Sequence, residues 1–150
     1  MAKALRFIIV PKVAHPWLEE VNKGAQAQAE ILSGELGVEI VVDYMPPSIA
    51  DAVEQNAILE MAAMSRPSGI AVDPVDTVGH MTAINRIRDQ GIPVVLFDSP
   101  SPETGITSIG NNFAQQGITA AERLVKLIGY AGKVKVVSMD GIKPILDAIK

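Results

Sequence analysis

Short apolar runs, each ending in polar residues, alternate along this chain with longer segments of helical periodicity. The runs are Leu5 to Val10, Val38 to Val42, Gly69 to Val72, Val94 to Phe97 and Val134 to Met139. They are rich in Val and Ile and too short for helices, so they read as buried strands. Helical segments between successive strands force crossover connections. Such crossovers are right-handed and make the strands mainly parallel.

We therefore expect an α/β fold. Its core is a doubly wound, mainly parallel five-stranded sheet in the flavodoxin-like order 2-1-3-4-5, sandwiched as three α/β/α layers. Apolar residues make up 48% of the chain and aromatics only 4%, as suits strands covered on both faces. The first helix should start near Pro16 or Trp17, present Leu18, Val21, Ala25 and Ala29 to the sheet, and stop near Ser33-Gly34. Ser48 is expected to cap a helix over Ile49 to Met64. Asp76 or Thr77 should cap the next helix, to about Gln90, with His80 in mid-helix as a surface or packed residue. Ile106 to Ile109 reads as an additional short strand. Asn111 or Asn112 should cap a helix to about Ile128, and a last helix is expected over Lys143 to Lys150.

Composition removes several functions. The net charge of −4 and the scattered Lys and Arg do not form a nucleic-acid surface. No apolar stretch reaches the ~18 residues of a membrane helix. The chain begins Met1-Ala2-Lys3-Ala4 and lacks the apolar core of a secretory signal, which is equally true of a mature exported protein given a start Met. The absence of cysteine excludes disulfides, thiolate metal sites and cysteine nucleophiles. Neither a Gly-x-Gly-x-x-Gly turn nor a Gly-x-Ser-x-Gly elbow nor a zinc-binding His pair is present. No cofactor, metal or enzymatic step is expected.

In open parallel sheets ligands bind at the carboxyl ends of the strands. After strand one come Lys12, His15 and Trp17, the single tryptophan. The indole either offers a flat face to a ring-shaped ligand or packs under the sheet. His15 either hydrogen-bonds a ligand or is solvated; Lys12 reads as solvated. After strand four, Asp98 and Ser99 either receive hydroxyls or close a loop. Asp73, before Pro74, reads as a side-chain turn, and Asp140, before Gly141, repeats the acid-at-strand-end pattern.

These segments carry a resemblance. FIIVPKVAHPWLEEVNKGAQAQAE resembles the opening of type I periplasmic sugar-binding proteins, the ribose-binding group of ABC-transporter solute receptors. GIAVDPVDT, GIPVVLFDSP and SIGNNFAQQGITAAERLVKLIG resemble that family's third strand, fourth strand and passage into its second lobe. The resemblance implies a sugar held between two lobes, with His15, Trp17 and Asp98 as first-lobe ligands and Ser99 beside them where several members have Arg. It implies a membrane permease as partner, and a periplasmic or extracellular setting for the parent protein.

AGKVKVVSMDGIKPILDAIK resembles the last βα unit of the second lobe, with Asp140 as its ligand. The expectation is a truncated or engineered chain forming a single lobe. Residues 1–110 would be its first-lobe core, and 111–150 a helix, strand and helix joined from second-lobe sequence; a simple N-terminal fragment is the other arrangement. Such a lobe should bind sugar weakly or not at all alone, and an exposed lobe surface allows self-association. The alternative is the effector domain of a lactose-repressor-like regulator. A third reading is an engineered scaffold with no biological task.

Overall fold

The computed structural model describes residues 4–99, 101 and 105–133. Strand β1 (Leu5–Val10) leads into helix α1 (Pro16–Leu36), then β2 (Ile40–Tyr44), α2 (Ala52–Met64), β3 (Gly69–Val72), α3 (Met81–Asp89), β4 (Val94–Phe97), β5 (Ser108–Ile109) and α4 (Phe113–Leu127). All pairings are parallel, and the sheet order is β2-β1-β3-β4-β5. The order agrees with the expectation, but the fifth place is held by Ser108–Ile109. The run Val134 to Met139 and the helix expected at Lys143 to Lys150 lie outside the described residues. Two compact units divide at Asn111/Asn112.

In the first unit, alternation along the strands sorts the side chains. Ile8 and Val10, Ile70 and Val72, and Val94 and Leu96 point to one face, where all six are buried. Leu59, Ala62 and Ala63 of α2 and Met81, Ile84 and Ile87 of α3 close over them as one core. Against the other face, α1 buries Leu18 and Ala29, with Val21 and Ala25 partly buried between them.

Local chemistry set several element ends differently from expectation. Helix α1 runs through Ser33-Gly34 because the Ser33 hydroxyl donates back to the Ala29 carbonyl at 2.7 Å and accepts from the Ile40 amide at 2.9 Å. The helix stops at Gly37, whose φ of 64° is the left-handed conformation that glycine adopts at little cost. Helix α2 is capped by Asp51, which accepts from the Val53 and Glu54 amides; Ser48 instead donates to Glu54. Backbone and hydroxyl donors from Ser48 hold the Glu54 carboxyl below its ordinary value. Asp76 caps a turn rather than α3, so His80 stands at the helix start, fully buried. In the second unit, Asn112 caps α4 through the Gln115 amide.

Candidate functional site

Parallel pairing brings the ends of β1, β3 and β4 side by side at one edge of the sheet. Lys12 follows β1, Asp73 follows β3, and Asp98 and Ser99 follow β4. The Lys12 ammonium lies 3.1 Å from Asp73 Oδ1 and 3.3 Å from Asp98 Oδ2. Ser99 Oγ donates to the same Asp73 oxygen at 2.9 Å. Asp98 has φ +60°, a left-handed conformation that Asp tolerates better than most residues. Its amide pairs with the Ile109 carbonyl at 2.9 Å, so the short strand β5 holds that turn in place.

Beneath this cluster is a buried amide. Gln55, on α2, donates to the carbonyls of Pro11 and Asp73, both at 2.8 Å, and accepts from the Val75 amide at 2.9 Å. It joins the turn after β1 to the turn after β3. Buried backbone groups need such partners, and the β1–β3 ladder ends at the bond from the Asp73 amide to the Val10 carbonyl, 3.0 Å.

The two ends of the ion pair respond differently. Asp73 is 0% exposed, and its Oδ2 has no hydrogen-bond partner among the described residues. Burial pushes its carboxyl up, by more than the attraction of Lys12 and the Ser99 hydroxyl bring it down. Burial also pushes the 34%-exposed Lys12 down, but charge and hydrogen bonds from Asp73 and Asp98 together outweigh that and hold its ammonium above the ordinary value. Lys12 faces two acids, whereas Asp73 faces one cation from inside the protein. With both acids ionised, this group of three carries one net negative charge.

His15 and Trp17 stand on the same edge, at the start of α1. His15 Nδ1 accepts from the Trp17 amide at 3.1 Å, capping the helix. Trp17 is 46% exposed, so the core placement considered for it does not hold. Asp98 and Ser99 come together through Lys12; Asp140 lies outside the described residues. Lys12 is bound between acids rather than solvated, and Asp73 serves this cluster across the sheet. Sequence reasoning missed Lys12 and Gln55. The signals were a Lys at a strand end whose neighbouring strands end in acids, and a Gln at core spacing with Leu59, Ala62 and Ala63. Among the described residues no group of three or more His, Cys, Asp or Glu could hold a metal ion.

Paired donors and acceptors thus lie on the same sheet edge as the half-exposed Trp17. The chain is similar to the D-apiose import binding protein of Actinobacillus succinogenes, 27% identical over 128 residues that cover 84% of this chain and 39% of that protein. It is similar to a sugar ABC transporter sugar-binding protein from Bacillus halodurans, with TM-score 0.70 and 30% identity over 87% of this chain and 43% of that one. The arabinose-binding protein AraP from Geobacillus stearothermophilus gives TM-score 0.75 and 27% identity, over 93% and 47%. The chain thus spans less than half the length of these relatives, which are binding proteins. A family model described as a periplasmic binding protein domain matches residues 6–148, and to that family this chain belongs.

Proposed function

We propose that this chain supplies one lobe's share of a monosaccharide site in an ABC-transporter solute receptor. A membrane permease would be the partner of the whole receptor, and the periplasm its setting. In this reading residues 1–110 are the first-lobe core, and 111–150 derive from second-lobe sequence. No catalytic step is involved. An exposed lobe surface lets copies of the chain associate.

The observation that carries this reading is the Lys12–Asp98 pair on the same edge as the half-exposed Trp17. A sugar hydroxyl both donates and accepts, so an ammonium beside a carboxylate serves it from either side. The apolar face of a pyranose or furanose matches an indole. His15 and Ser99 add hydrogen-bonding partners, and Asp140 is assigned to the same ligand. The functions of the relatives, import of D-apiose and binding of arabinose or another sugar, point the same way.

A single lobe leaves one side of the sugar in water. Each hydrogen bond then contributes only about 0.5–1.5 kcal/mol net, and tight sites enclose roughly 70–90% of the ligand. We expect affinity in the millimolar range or weaker. Amide and indole NMR signals of the chain, titrated with D-arabinose, D-ribose, D-apiose and D-glucose, test this. Shifts confined to Lys12, Trp17, Asp98 and Ser99 are expected. No shift at these residues with any sugar at about 100 mM would remove the sugar assignment. Micromolar affinity by calorimetry would instead overturn the single-lobe account.

A further inference from the structure

Helix α2 is apolar on both sides. Gln55, Leu59, Ala62 and Ala63 face inward and are buried. At 100° per residue, Val53, Ala57, Met61 and Met64 fall in one line on the opposite side. That line is open to solvent, with Val53 77% and Met64 76% exposed. Ile49, also exposed, extends it beyond the helix start. No charge interrupts the line. Glu54 and Glu60 flank it and are occupied, Glu54 with Ser48 and Glu60 with Arg86. A surface helix ordinarily turns a polar face to water, and a continuous apolar row marks an interaction surface.

We propose that a second copy of this chain covers this row, through an antiparallel α2–α2 contact with its two-fold axis at Ala57. Four features select a second copy. Val53 and Met61 each lie four residues from Ala57, so the reversed helix presents apolar side chains to apolar side chains, as an isologous interface requires. Ala57 has the smallest side chain in the row and sits at the crossing, where it lets the two backbones approach. The i, i+4 spacing forms a ridge that packs into its own copy's groove. The ends of the helix are also opposite in charge. Asp51 and Glu54 lie at its start, and Arg66, which forms no ion pair among the described residues, follows its end. The antiparallel arrangement brings each Arg66 to the acidic end of the partner helix; a parallel one would set like charges together. The inference stands whether or not the strand-end site takes a sugar.

Sedimentation equilibrium of the full chain tests it, alongside Met61→Glu and Val53→Glu. Both positions are exposed, and circular dichroism checks that the variants remain folded. We expect a concentration-dependent dimer, weakened at least about ten-fold by either substitution. Because the chain has no cysteine, Ala57→Cys introduces a single thiol at the axis. It should form a disulfide-linked dimer on mild oxidation much faster than Asp89→Cys on α3. A monomer at every concentration up to about 100 µM overturns the proposal. So does association that both glutamates leave unchanged, or equal cross-linking of the two cysteine variants.

Discussion

Lys12→Met isolates what the strand-end cluster depends on. The substitution keeps an unbranched stem of similar bulk and deletes the charge. Asp73 is then fully enclosed, with Ser99 Oγ as its only remaining side-chain partner among the described residues and its Oδ2 already unpaired there. Breaking a fully buried pair from one side costs about 3–5 kcal/mol, whereas exposed pairs contribute about 0–1 kcal/mol. Lys12 keeps a third of its side chain in water, so the expected loss lies between these, at about 2 kcal/mol near neutral pH. The loss should depend on pH. Asp73 already has a raised carboxyl in the folded protein, so the native state takes up a proton before the unfolded chain does, and stability gains as pH falls through that raised value. Without Lys12 the carboxyl rises further, and the gain on acidification is larger. The Lys12→Met deficit should therefore shrink between about pH 7 and pH 4, near the ordinary Asp value. In the wild type, the contribution from the raised Lys12 value is complete below about pH 10.4 and is lost as pH rises through the folded value. Urea unfolding followed by the single tryptophan measures each case. Adding Asp73→Asn to Lys12→Met should recover at least about 1 kcal/mol, since no buried charge is then left alone. A deficit below about 0.5 kcal/mol, or one that grows on acidification, would refute this account of the cluster.

Two further substitutions probe the frame around it. Gln55→Leu fills the same space but strands the Pro11 and Asp73 carbonyls and the Val75 amide. A loss of about 2–4 kcal/mol in urea unfolding is expected, together with faster amide exchange at Val75. Asp51→Ala removes the side-chain acceptor of the Val53 and Glu54 amides and should cost about 1 kcal/mol, with fraying confined to the first turn of α2 by hydrogen exchange.

The strands were legible because burial on two faces leaves continuous Val- and Ile-rich runs, and the crossover rule then restricts their order. Ser108–Ile109 was harder to rank, because a two-residue pairing leaves almost no periodic trace. The longer run Val134 to Met139 therefore drew the assignment of fifth strand. Helix ends depended on which of several competent side chains won. Both Ser48 and Asp51 can cap, and only the path of the chain after Pro47 puts Asp51 beside the free amides. At the site, the acid after β4 and the aromatic after β1 could be picked out by residue type and position. The role of Lys12 was harder to see, since it becomes visible only once the strand order sets it beside the acids that end the neighbouring strands, one of them 86 positions away. Spacing alone does flag Gln55: it occupies a core position of its helix, and a polar side chain there must find buried partners.

The amide of Gln55 has a consequence for kinetics. It clamps the two turns that carry Lys12 and Asp73, so their backbone is fixed when the chain folds rather than when a visitor arrives. Under the proposed sugar-binding role, capture at this rim would begin from a shape already in place, and its speed would be governed by diffusion and by the angle of approach rather than by a slow rearrangement of the turns.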